Sequence, residues 1–183
     1  HVYALDSGGD PEVIPQLTYA QFKTFHETYY HPSNARFFFY GDDDPEKRLQ
    51  LVQDYLKDFT ARSVESSIPL QARHDAPRWL TKPYPVSADA ESPKAYITVN
   101  WLLPENNDPT LTLALEILGH ILVGIPASPL RKALIDSGLG EDVIGGGLDD
   151  SLRQLTFSTG LKGVRREDTP KVEALIFDTL RAL

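Results

Sequence analysis

The chain contains no cysteine and no methionine. The first absence excludes disulfides, thiolate nucleophiles and cysteine-rich zinc sites. It leaves the compartment open, because only paired cysteines point to an oxidising one. The second absence means that His1 is not a translational start, and the segment reads as cut from a longer protein. Long apolar runs are also scarce: no stretch is expected to approach the ~20 apolar residues of a membrane span. No basic-then-apolar leader of the secretory kind opens the chain. Cations are in the minority, with 18 Lys and Arg against 26 Asp and Glu and a net charge of -8. That balance disfavours nucleic acid, whose binding depends on cations neutralising phosphates, and it draws basic peptides at long range.

What is present is an ordinary globular balance, 41% hydrophobic over 183 residues, enough for one good core or two small ones. The spacing predicts two α/β blocks, residues 1–60 and 77–183, joined by a linker over 61–76. In the first block, Thr18 and Gln21 form a capping box that opens a helix carrying Tyr19, Phe22, Phe25, His26 and Tyr29. Pro32 ends it by pushing the preceding residue out of the helical region. Arg36-Phe-Phe-Phe-Tyr40 reads as a buried strand. Asp44 and Pro45 start a second helix, with Leu49, Val52, Leu56 and Phe59 as its buried stripe.

In the second block, residues 78–86 suggest an edge strand, since Pro83 and Pro85 exclude a central one. Lys94–Leu103 alternates as a strand. Residues 110–123 form a helix apolar nearly all round, which places it centrally. A helix follows Ser128-Pro129 and closes at Ser137-Gly138. Val143–Gly147 is a glycine-rich strand or turn, Arg153–Leu161 alternates cleanly, and a last helix runs from Thr169-Pro170 to the final residue.

Candidate chemistry is thin. His26 and His31 are five apart, so on a helix their rings diverge by about 140° and do not grip one ion. Packing explains His26, and a helix C-terminus explains His31. Asp42-Asp43-Asp44 lacks the spaced ligands of a calcium loop and is explained by capping. Gly145-Gly-Gly147 is followed by Leu148-Asp149-Asp150, which excludes a phosphate loop. It fits either a bulge or an open edge where a peptide backbone approaches. Ser128 and Ser137 lack a nearby His/Asp constellation. His120 reads as a packed residue of the apolar helix, and His74 carries no signal.

The opening run Asp6-Ser-Gly-Gly-Asp-Pro11, with Ile14-Pro15, Leu17-Thr18, His31-Pro-Ser-Asn34 and Phe39-Tyr-Gly-Asp-Asp-Asp-Pro45, resembles the presequence-degrading branch of the pitrilysin-type zinc metallopeptidases. Ala127-Ser-Pro-Leu-Arg131, Ile135-Asp-Ser-Gly-Leu139 and Gly160-Leu-Lys-Gly163 extend the likeness over nearly the whole chain. The resemblance implies parts of two related domains, the end of the first and the start of the second. Each would be an α/β domain of the α+β roll type, a mostly antiparallel sheet packed with helices. It implies a zinc endopeptidase acting on unstructured peptides such as cleaved targeting presequences. The compartment implied is the mitochondrial matrix or plastid stroma in a eukaryote, or the cytoplasm in a bacterium.

The inverted zinc motif His-x-x-Glu-His is absent from the sequence. The resemblance therefore puts the catalytic and zinc-binding residues upstream, and this chain binds no metal itself. It also implies that Ile144, Gly145 and Gly146 hold peptide through the main chain. Other partners would be the remaining domains of the same polypeptide, with no nucleic acid and no membrane. The alternative is a structural or assembly subunit of the same fold without peptidase activity. A third reading is a free-standing peptide-binding module.

Overall fold

A computed structural model describes residues 2–87 and 94–183; His1 lies outside the described residues. The chain divides into two compact units, His1–Pro69 and Leu70–Leu183.

The first unit holds helices α1 (Tyr19–Tyr29) and α2 (Pro45–Leu56). Thr18 opens α1 as a capping box: Gln21 N–H donates to its hydroxyl at 3.3 Å, and the Thr18 N–H donates to Gln21 Oε1 at 2.8 Å. Asp44 caps α2 by accepting from the Glu46 and Lys47 N–H groups, with Pro45 in the first turn. Residues 61–66, within the linker expected over 61–76, are bonded to this unit. The Arg62 guanidinium donates to the Glu27 and Thr28 carbonyls at the end of α1, and Ser66 Oγ donates to Asn34 Oδ1 at 2.6 Å.

The expected strand Arg36–Tyr40 is not one. The segment has no sheet partner among the described residues, and Phe38 and Tyr40 are 88% and 96% exposed. Its composition suits a strand, but a strand also needs a neighbour for its main-chain groups. The α2 stripe is likewise not buried: Val52 and Leu56 are half-covered, while Leu49 and Phe59 are exposed. Phe37, Phe39, Leu51 and Tyr55 line an open apolar groove of about 700 Å³, with Arg48 lying over the Phe39 ring at 4.9 Å and pairing with Asp43.

The second unit is built on an antiparallel sheet of β1 (Ala95–Glu105), β2 (Asp142–Asp149) and β3 (Gln154–Val164), in the order β1-β3-β2. Mixed helices and an antiparallel sheet make this an α/β fold. The period-two patterns in β1 and β3 turn Ile97, Val99 and Trp101, and Leu155, Phe157, Thr159 and Leu161, to the covered face. Helices α3 (Pro109–Gly119), α4 (Pro129–Asp136) and α5 (Thr169–Arg181) follow their cap-then-proline signals. The core joins Leu130 and Leu134 of α4, Val172 and Ile176 of α5, and Leu161 and Val164 of β3, each 1% exposed or less. Full burial of each such side chain is worth about 1.5–3 kcal/mol.

Three expectations change here. Helix α3 is not central: it buries only Thr112 and Gly119, and Leu113, Ile117 and Leu118 stay about half exposed. It lies on the sheet by one face, and nothing among the described residues covers the other. The run Pro109–Asp136 is, by length and composition alone, apolar enough to cross a membrane. In this fold it is two helices interrupted at Ile125–Ser128, the second of which packs on α5 and β2. Residues 78–86 form no strand; Trp79 instead donates to the Glu173 carboxylate at 3.2 Å, and the Tyr84 ring stacks on Tyr96.

Candidate functional site

Because β3 is central, β2 is an edge strand, paired on one side only among the described residues. Its register is regular from Asp142↔Lys162 to Ile144↔Gly160 and again from Gly147↔Ser158 to Asp149↔Thr156. Between them Gly145 and Gly146 face the single residue Thr159, which is a β-bulge. The three glycines of this run, Gly145 to Gly147, are not equivalent. Gly145 has φ +86°, and a Cβ there would lie 2.6 Å from Thr159 Cα and 2.7 Å from the Ser158 carbonyl, so β3's backbone excludes any side chain. Gly147 has φ +76° and sits under Val123. Gly146 has neither constraint: a Cβ built on it meets nothing within 4 Å. Folding explains Gly145 and Gly147. It does not explain Gly146, which opens onto free space at the sheet edge.

Charged groups at the two ends of β2 are paired. Asp142 accepts from Lys162 at 3.1 Å across the ladder, and Lys94 pairs with Glu141. The Lys162 ammonium, then the Val143 N–H, holds the Asp142 carboxyl below its ordinary range. At the far end the Ser151 hydroxyl and N–H do the same for Asp149, at 2.6 and 2.9 Å. The middle of the edge carries no charge. An extended peptide pairing there would meet main-chain groups and vacant side-chain space, the chemistry of sequence-tolerant β-augmentation.

The structure brings Ile144, Gly145 and Gly146 together on this edge, with Ile144 half-buried and both glycines exposed. It does not bring the histidines together. His26, expected as a packing residue, is exposed and stacks on Tyr30 at 4.9 Å. His31 accepts from the Ser33 N–H and meets the Phe59 ring edge-on. His120, also expected to be packed, is exposed at the start of a π-helical turn, His120–Gly124, with its ring over Gly124. Ser137 binds its own helix end, donating to the Leu134 carbonyl at 2.7 Å. Among the described residues no group of three or more His, Cys, Asp or Glu is placed to hold a metal ion. A zinc ion does not fit the donors present among the described residues.

Sequence reasoning missed the π turn. Its one local signal is Gly124, four residues after His120, where any Cβ would fall 2.4 Å from the imidazole Nδ1.

Comparison with known proteins gives a consistent result. Residues 16–183 match the family model described as the peptidase M16 inactive domain. The chain is 49% identical over 187 residues to presequence protease 1, chloroplastic/mitochondrial, of Arabidopsis thaliana, covering 100% of this chain and 17% of that protein. It is 40% identical over 184 residues to the mitochondrial presequence protease of Xenopus tropicalis, covering 98% of this chain and 18% of that protein. The chain thus spans under a fifth of the length of these relatives. A crystal structure of a protease from Helicobacter pylori superposes with a TM-score of 0.60 at 20% identity, over 95% of this chain and 42% of that one, which is a likeness of fold.

Proposed function

The chain belongs to the peptidase M16 family, in the part described as its inactive domain, and from that premise we propose that it is a non-catalytic segment of a zinc endopeptidase that degrades unstructured peptides. In this reading the chain forms part of the chamber wall, and the β2 edge docks the substrate by main-chain pairing at Ile144, Gly145 and Gly146. Residues 1–60 belong to the end of one pitrilysin-like domain and 77–183 to the start of a second. Zinc and the residues that bind it lie elsewhere in the polypeptide, where the metal would polarise the scissile carbonyl and activate water. The compartment is that of the named relatives, mitochondrion or chloroplast, in a eukaryote, and the cytoplasm in a bacterium.

The observation that carries the docking role is the vacant space at Gly146 on an otherwise closed ladder. The remaining domains of the same polypeptide are the natural cover for the exposed faces of α3 and of Arg36–Tyr40. The test is Gly146→Val in the full-length polypeptide. It is expected to raise KM for an unstructured peptide about three- to tenfold with kcat nearly unchanged, as for lost uniform binding. Unchanged peptide kinetics would remove the docking role. Gly145→Val does not serve, because it damages the ladder itself.

The second reading is a structural or assembly subunit of the same fold without peptidase activity. Cleavage of an unstructured peptide by the zinc-loaded full-length polypeptide would exclude it.

A further inference from the structure

The run Ala127–Arg131 has no part in the docking edge, and two of its side chains do unusual things. Ser128 precedes α4 but does not cap it. Its hydroxyl is buried, 4% exposed, and turned backwards: it accepts from the Ile125 N–H and donates to the His120 carbonyl, both at 3.1 Å. Arg131 also reaches back, with Nη1 on the Val123 carbonyl at 3.5 Å, while its Nε is sealed from solvent without a partner. His120 and Val123 begin and nearly end the π turn. At a helix end the last carbonyls have no intrahelical donor and need one from outside. Ser128 and Arg131 supply two.

That turn backs the glycine bulge. Val123 Cγ2 lies 3.1 Å from where a Gly147 Cβ would be, and a Cβ on Gly119, one residue before the turn, would meet Leu148 at 3.6 Å, an ordinary contact. The Arg131 charge also reaches the start of β2, adding a smaller pull to that of Lys162 on Asp142.

We infer that Ser128 and Arg131 are positioning residues for the β2 edge, acting through the π turn and Val123 on Gly147. The functional consequence rests on the docking role proposed above; the mechanical one does not. The experiment is Ser128→Ala and Arg131→Met in the full-length polypeptide. Two readouts are taken: amide hydrogen exchange across residues 144–147, and the KM and kcat for an unstructured peptide. Exchange at Gly145–Gly147 is expected to rise about tenfold or more in each variant, as a local opening. KM is expected to rise about threefold or more with kcat nearly kept. Arg131→Lys, which keeps the charge near Asp142 but not the guanidinium fork, is expected to fall between Met and the parent.

Faster exchange confined to α4, with residues 144–147 unchanged, overturns the inference, because the two residues would then serve only their own helix. If Ser128→Ala does not fold, Val123→Ala tests the same route from the other side, and unchanged exchange at Gly147 overturns it. The two proposals fail separately. Gly146→Val without effect on KM, together with faster exchange in Ser128→Ala, removes docking and leaves positioning standing. The reverse pattern removes positioning and leaves docking.

Discussion

The two units are of similar chemistry and opposite completeness. Leu70–Leu183 closes a core of Leu, Val and Ile side chains between a sheet and helices. His1–Pro69 has well-formed helices with complete caps and no buried residue in either. Local signals are therefore sufficient to specify a helix's ends, while burial requires a second layer. Caps and proline positions act over a few residues, and side-chain caps at Thr18, Asp44 and Asp108 are made in both units. The hydrophobic term depends on area removed from water, and only the second unit removes much.

The largest expected effect that sharpens this contrast is in amide exchange of the whole chain. Amides of β3 are expected to exchange at least ~1,000-fold more slowly than those of α1 and α2, since local stability spans from near zero to the global value. Comparable protection in the two units would break the comparison. Next come truncations. Leu130→Ala, at a fully buried position, is expected to cost about 2–5 kcal/mol in denaturant unfolding. Phe38→Ala, exposed in the first unit, is expected to stay within about 0.5 kcal/mol. A large loss at Phe38 would show a core in the first unit that the structure does not contain.

Within the second unit, Gly145→Ala is expected to lower the melting temperature, and Gly146→Ala to leave it nearly unchanged, because only the former meets the β3 backbone. The smallest effect concerns acid. Asp168, just ahead of α5, has a side chain only 2% exposed and pairs with Lys171 at 2.6 Å and Arg165 at 2.7 Å. Lys171 first, and Arg165 after it, keeps its carboxyl below the ordinary aspartate range despite its burial. A depressed native pKa stabilises the fold above the unfolded value, and that contribution is lost as pH falls through the native one. Asp168→Asn is expected to flatten the decline in melting temperature below about pH 4. An unaltered pH profile would show that the pairs contribute nothing.

Much of this was legible in the residues. Capping signals at Thr18 and Asp44 placed two helix starts, and alternation in β1 and β3 placed their inward faces. The family was legible from motif runs. Three features were not. Arg36–Tyr40 has a strand's composition, but strand formation is non-local, and composition carries no information about a partner. Helix α3 is apolar all round, yet its environment among the described residues is one-sided. The π turn is tied by bonds that Ser128 and Arg131 donate to the His120 and Val123 carbonyls, which no local period announces. At the candidate site the glycine triplet was visible, but the division of labour within it was not. That division depends on where β3's backbone lies, and so on a register only folding reveals.

The uncovered aromatic run has a consequence for the nascent chain. Phe37-Phe-Phe-Tyr40 contains no proline, glycine or charge and leaves its main chain without ladder partners among the described residues, the makings of a steric zipper between copies. Ribosomes add about 5–20 residues per second, so the run emerges roughly 1–3 seconds ahead of the complete helix α2. Arg36 on one side and Asp42-Asp43-Asp44 on the other then act as gatekeepers. The acid triplet whose last member caps α2 would keep neighbouring nascent chains apart.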